Sequence, residues 1–240
     1  VPADPPSAAD VAADVDRVRE ALRAAEAPGD PGLPVDRLLH ALDVLRPEVL
    51  AGFARAGLDR ATAEETLADV PRKVAVYGTA PGTGIDAGWL LLLARADVVA
   101  VGRLQVERTA GPDGRAVHVP ESGPLTAAAV DASFARSRVL FGPSAFTCTS
   151  WLLDPLLPPA LGPDGGIVGF ARRFAVGDVV RGEEHDRSVT RFVFHRPLAD
   201  VLDPALVVPR TRLERCVAGH LRAGGHWSQP SATTGPETPV

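Results

Sequence analysis

The chain changes its hydrophobic period near residue 96, and that change limits the folds open to it. Before it, apolar residues recur at helical spacing. Val11, Val15, Val18 and Leu22 stand three or four apart, with Asp and Arg between them. Pro28–Pro34 breaks the pattern, and Val35–Leu45 resumes it with Leu38, Leu42 and Leu45 on one face. Pro47 opens a further helix at its first turn, where a missing N–H costs little. Thr62-Ala-Glu-Glu65 reads as a capping box opening a fourth helix, which Pro71 is expected to kink or restart. The loop Thr79–Gly84 (TAPGTG) then leads into a short buried helix, Asp86–Arg95, carrying Trp89.

Beyond that point alternation takes over. Val98–Arg108 (VVAVGRLQVER) reads as a strand, the Gly-Pro-Asp-Gly within Thr109–Arg115 as a hairpin turn, and Ala116–Pro120 as the returning strand. Thr126–Phe141 is expected to be a helix capped by Thr126, with Val130, Phe134 and Val139 on its apolar side. Ala145–Thr149 is a short strand, and Ser150 caps a helix, Trp151–Leu157. Ile167–Val176 and Ser188–His195 read as two strands of a late hairpin joined by the charged loop Gly177–Arg187. Thr211–Ala223 closes the series as a helix with Leu213, Val217 and Leu221 on one face. The expected fold is α+β: a helical N-terminal region over 10–95, then a sheet covered by helices over 96–223. The Pro/Ala-rich residues 1–9 are expected to be loose, and the polar, Pro-rich tail 224–240 disordered.

Charge and cysteine content narrow the function classes. The formal charge is −5, with Lys73 the single lysine, so there is no basic footprint for nucleic acid and no polybasic membrane patch. Cys148 and Cys216 make no disulfide framework. The run Trp89–Ala94 is far too short to span a bilayer, and no secretory signal is visible, so a cytoplasmic protein is expected. No zinc spacing occurs, His118 and Glu121 straddle a proline turn, and TAPGTG lacks the Gly-Lys-Ser/Thr of a Walker loop; no metal is expected.

The junction His118–Thr126 (HVPESGPLT) raises the functional question, because it runs from a strand through Pro and Gly into a helix. Together with Gly102-Arg-Leu-Gln-Val-Glu107, Ser150-Trp-Leu-Leu-Asp-Pro155 and Arg191-Phe-Val-Phe194, it resembles the recurring motifs of a bacterial acyltransferase-domain family. That family pairs a helical N-terminal domain with a GNAT-like (N-acetyltransferase superfamily) C-terminal domain, and the resemblance runs from about Leu42 to Ala223. It implies a GNAT-like mixed sheet flanked by helices. It also implies transfer of an acyl group from a pantetheine thioester, as acyl-CoA or on an acyl-carrier protein, to an amine of a small metabolite. One departure is plain. The usual pyrophosphate loop is Arg/Gln-x-x-Gly-x-Gly/Ala, whereas this chain has Glu121-Ser-Gly-Pro124. Pro124 has no N–H to give, and Glu121 adds a negative charge.

Acyl transfer to an amine needs a base, an N–H that polarises the carbonyl, and an acid for the departing thiolate. His118 is the candidate base, because imidazole titrates near neutrality and this strand often carries the base in GNAT enzymes. Glu107 is expected to orient it or act through water; the alternative is a solvated strand end paired with Arg103 or Arg108. Ser150 and Cys148 are the candidate acids, since the single tyrosine, Tyr77, lies in the helical region; equally, Ser150 is explained as a cap and Cys148 as a core residue. Backbone around Val119, Ser122, Gly123, Leu125 and Thr126 is expected to hold the donor. The rival reading is a non-catalytic GNAT-like module that binds a carrier protein or another partner.

Overall fold

The computed structural model describes residues 7–24, 31–79 and 84–234. Most of the expected N-terminal loose segment, parts of Pro28–Pro34 and TAPGTG, and the last six residues of the tail lie outside them. The chain divides into two compact units. The first runs to Val101 and includes Gln105–Arg108; the second takes Gly102–Leu104 and the chain from Thr109.

The first unit is helical, as the periodicity requires. It contains α1 (Ala8–Arg23), α2 (Val35–Val44), α3 (Arg46–Arg55), α4 (Arg60–Leu67), α5 (Asp69–Tyr77) and α6 (Ala87–Ala94). Val15, Val18, Leu38, Ala41, Leu45, Leu90 and Leu91 form its buried core, with Val11, Leu22 and Leu42 packed at the margin. Each start has a local cause. Ser7 and Asp10 form a capping box, Pro47 sits in the first turn of α3, and Asp86 accepts from the Trp89 N–H. The cap of α4 is Asp59, which accepts from Thr62 N at 2.7 Å, and not Thr62 as its box pattern suggests. Thr62 is instead buried, one turn inside the helix. Pro71 falls in the first turn of α5, which restarts after Ala68.

Two strands follow, β1 (Val98–Val101) and β2 (Leu104–Glu107), neighbours in the sheet. The single strand expected over 98–108 is thus broken by a turn at Gly102-Arg103, where Gly102 takes φ +64°.

The second unit holds β3 (Arg115–His118), α7 (Ala127–Phe141), β4 (Phe146–Thr149), a 3₁₀ turn (Trp151–Leu153), α8 (Leu157–Leu161), α9 (Gly166–Ala171), β5 (Phe174–Val176), α10 (Glu183–Phe194), α11 (Leu198–Leu202), α12 (Arg212–Arg222) and β6 (Ser231–Thr234). Strand order is β3-β4-β6-β5. β3 and β4 are parallel, and β6 is antiparallel to both β4 and β5, so the sheet is mixed. Gly114 lets β3 begin against β4, because a Cβ there would lie 2.6 Å from the Ala145 carbonyl oxygen. One side of the sheet is aromatic: Phe134 of α7 stacks on Phe146 of β4 at 4.3 Å, and Phe170 and Phe174 continue the layer. A second cluster gathers Trp151, Leu157, Val189, Val217, Leu221 and Trp227.

Three expectations are corrected here. The late hairpin does not form. Ile167–Ala171 lies within α9 and only Phe174–Val176 is a strand, while Ser188–Phe194 lies within α10. Helix α10 wins over the local strand pattern because Glu183, Glu184 and Asp186 fill its first turn, where the helix dipole favours carboxylates. The tail from Gly224 is not disordered as far as Thr234, since it supplies β6. Val139 does not join the apolar side of α7; it is 84% exposed, while Val130 and Phe134 are buried as expected.

Candidate active site

β3 and β4 part company along their length. Arg115 pairs with Phe146 and Ala116 with Thr147. Beyond that, β4 follows its other neighbour, with Cys148 opposite Ala232 and Thr149 opposite Ser231. The Ser150 N–H continues along that edge, donating to Pro230 O at 3.2 Å. The register sets His118 level with Thr149 and Val119 level with Ser150, at the place where the strands have separated. The pairing of the two parallel strands thus stops short of His118, and the strand-to-helix loop of α7 follows directly from that end of β3.

On the β3 side, alternation buries Val117 and leaves His118 half-buried on the opposite face. Val119 packs at the margin of the cluster around Trp151 and Trp227. The loop Pro120–Thr126 follows. Its Ser122 N–H donates to Pro120 O at 2.8 Å, so that donor is already engaged within the loop. Gly123 is exposed with φ +76°, a conformation that suits glycine. Thr126 caps α7 as expected, accepting from the Ala129 N–H. Gly166 packs against the Leu125 carbonyl so closely that a Cβ would sit 2.3 Å from its oxygen.

On the β4 side, burial pushes the Cys148 thiol up to about 12. It stays protonated at neutral pH, which weighs against a nucleophilic role and against giving a proton to a thiolate of ordinary basicity. Ser150 caps the 3₁₀ turn by accepting from Leu152 N at 3.2 Å, and its hydroxyl keeps a proton to donate.

Behind Ser150 stands a polar anchor that the sequence reading missed. Asp154, buried, accepts from both Arg181 Nη atoms (2.8 and 3.2 Å), from Ser228 Oγ (2.6 Å) and from the N–H groups of Ser228 and Leu156 (both 2.8 Å). Burial raises its pKa, but those bonds outweigh burial and hold the carboxyl below its usual value. A second buried carboxylate, Asp186, holds the neighbouring residues, accepting from Trp227 N at 2.7 Å with His226 Nδ1 at 2.6 Å. No local pattern announces these pairs, because their members lie 27 to 74 residues apart.

Glu107 ends β2 in the first unit and is half-buried. Arg173 bonds Asp131 of α7 at 2.7 Å, and His195 is the left-handed C-cap of α10. A largely apolar pocket of about 140 Å³ lies in the helical unit among Leu39, Leu42, Val49 and Leu90, and none of the residues above lines it. Among the described residues, no group of three or more His, Cys, Asp or Glu could hold a metal ion, and no helix is long and apolar enough to cross a membrane.

Comparison with known proteins bears on this geometry. The family model for the GNAT-like C-terminal domain matches residues 85–233. An acyltransferase solved in complex with decanoyl-CoA is 27% identical, with a TM-score of 0.77 over 96% of this chain and 80% of that one. An acyltransferase mutant in complex with octanoyl-CoA is 25% identical, with a TM-score of 0.80 over 98% of this chain and 81% of that one. An acyltransferase in complex with CoA and 10C-teicoplanin is 26% identical, with a TM-score of 0.75 over 92% and 75%. No curated protein sequence matches.

Proposed function

The chain belongs to the family of GNAT-like C-terminal domains, and from that premise we propose that it is an acyltransferase moving an acyl group from acyl-CoA to an amine of a small molecule. The observation that carries the reading is the parting of β3 and β4 with His118 at its edge. An acyl thioester is long and thin, and a cleft between separated parallel strands offers it backbone N–H and C=O groups along its length. The similar acyltransferases were solved with CoA or its octanoyl or decanoyl esters, which supports acyl-CoA over an acyl-carrier protein as donor. It also weighs against a non-catalytic module. The cytoplasmic location expected from the sequence belongs to this reading, because acyl-CoA is an intracellular donor.

In the proposed reaction the acceptor nitrogen attacks the thioester carbon while His118 takes its proton. The Val119 N–H polarises the carbonyl as negative charge gathers on its oxygen. The C–S bond then breaks, the Ser150 hydroxyl donates a hydrogen bond to the departing CoA thiolate, and the thiolate takes its proton from water while His118 returns the amine's proton to solvent. Loop backbone at Gly123, Leu125 and Thr126 meets the donor's diphosphate at the start of α7. Ser122, whose N–H is engaged with Pro120, shapes the turn and does not donate there.

The test is amine-dependent thiol release from acetyl-, octanoyl- and decanoyl-CoA. Teicoplanin is the first acceptor to try, because a similar enzyme was solved with it, and simpler amines follow. His118→Ala should lower kcat by about 10²- to 10⁴-fold without changing the melting temperature. Unchanged turnover in that variant would remove His118 from the mechanism. Thiol release that ignores the amine would make the protein a thioester hydrolase instead.

A further inference from the structure

Arg103, in the turn between β1 and β2, bonds three carbonyls of the 120–126 loop at once. Nη1 donates to Pro120 O at 2.8 Å, Nη2 to Gly123 O at 3.0 Å and Nε to Pro124 O at 3.1 Å. The arginine is itself fixed. Its backbone N–H donates to Ser133 Oγ at 2.9 Å, and that buried hydroxyl donates to Ala129 O at 2.8 Å, one turn into α7. Gly102 leaves no room for a side chain at this point, since a Cβ would lie 3.0 Å from the same hydroxyl. A planar guanidinium with a fixed fork of donors suits such a task; a flexible ammonium does not.

The consequence follows from peptide geometry. In a planar trans peptide the C=O and the N–H point in opposite directions, and no cis bond occurs here. Turning the Pro120 and Pro124 carbonyls toward Arg103 therefore turns the Glu121 and Leu125 N–H groups away from it. The third carbonyl, that of Gly123, precedes Pro124 and has no N–H on its far side. The Leu125 carbonyl, packed on Gly166, directs the Thr126 N–H outward in the same way. With the Pro120, Gly123 and Pro124 carbonyls turned toward the guanidinium, the Glu121 and Leu125 N–H groups face the other side of the loop, as an anion would need.

We propose that Arg103 is a positioning residue for the donor: it orients the atypical Glu-Ser-Gly-Pro loop so that its N–H groups face the diphosphate of acyl-CoA. Its positive charge behind the loop also offsets the carboxylate of Glu121. The inference rests on the acyl-CoA reading above and assigns the diphosphate subsite a support from outside the loop.

Two donors separate this role from a merely structural one: octanoyl-CoA, which carries the diphosphate, and octanoyl-pantetheine, which does not. Arg103→Gln and Arg103→Lys should each raise the KM for octanoyl-CoA about tenfold, leave kcat within about threefold, and leave kcat/KM for octanoyl-pantetheine unchanged. Titration calorimetry with CoA alone should show the same tenfold weakening without any turnover. Equal losses with both donors, or CoA held as tightly as by the wild type, would overturn the proposal. So would a wild-type response from Arg103→Lys, because charge alone would then suffice. If either variant fails to fold, Ser133→Ala, which loosens the arginine's own anchor, should show the same donor dependence in weaker form, and its absence there counts against the proposal. Wild-type protein that neither binds CoA nor releases thiol from octanoyl-CoA would sink the donor reading and this inference together, whereas failure in the variants alone sinks only the inference.

Discussion

The two strand ends that would wall the proposed donor cleft are held in different ways. The β3 wall ends in a loop with an exposed glycine, a positive φ and one guanidinium across its carbonyls. The β4 wall is laced to β6, and the residues just before β6 are pinned by two buried carboxylates, Asp154 and Asp186. A single half-exposed arginine can orient a loop without locking it; a buried carboxylate with five donors leaves nothing to adjust. The difference suits a site in which one wall must close on a charged, bulky donor while the other keeps the chemistry in register.

The largest expected break of that contrast is at Asp154. Asp154→Ala strips the acceptor from the exposed Arg181 guanidinium and from the buried Ser228 hydroxyl and N–H, and should cost about 3 kcal/mol. In a chain of this size that lowers the melting temperature by on the order of 10 °C, read by thermal unfolding. The pH dependence has a definite sign. A carboxyl held below its unfolded value contributes stability that is fully present above about pH 4, and that is lost as pH falls through the folded pKa. The wild type should therefore lose stability on the acid side below about pH 4, and Asp154→Asn should flatten that limb. An acid limb that is identical in the variant would show the anchor to be unimportant.

Smaller changes sharpen the comparison on the β4 wall. Ser150→Ala removes a cap and the proposed hydrogen-bond donor to the departing thiolate together. It should cost about 1 kcal/mol of stability and at least tenfold in kcat. A stability loss with kcat intact would leave Ser150 as a cap alone. Cys148→Ala should leave kcat within a factor of two and cost only about 1 kcal/mol through a small void behind β4. A large fall in kcat at unchanged stability would return the thiol to the mechanism. Arg103 variants, on the opposite wall, should act on the donor's KM while leaving the melting temperature nearly untouched, because half-exposed polar contacts contribute little to global stability.

How much was legible depends on how local the cause was. The helical unit, the cap at Thr126 and the β3–α7–β4 order all follow from period and punctuation within a dozen residues. Where a local pattern misled, a stronger term lay nearby. Ser188–Phe194 alternates well enough for a strand, but the acidic turn before it starts a helix that runs through it. Val98–Glu107 alternates across a turn that only the positive φ of Gly102 reveals.

The polar, Pro-rich run from Gly224 is the clearest case of what sequence alone withholds. Read locally, it has too little apolar surface to order itself. Its order comes from Asp154, Arg181 and Asp186, up to 74 residues away, which satisfy its backbone and hydroxyls and set it beside β4. The same distinction divides the site. Strand, junction and helix are properties of the amino acids in order, so the sequence by itself determined where the strand-to-helix loop would stand. Which way that loop's peptides face depends on an arginine about twenty residues earlier, and which thiol is inert depends on burial. Both are long-range, many-body effects, and only the tertiary structure decided them.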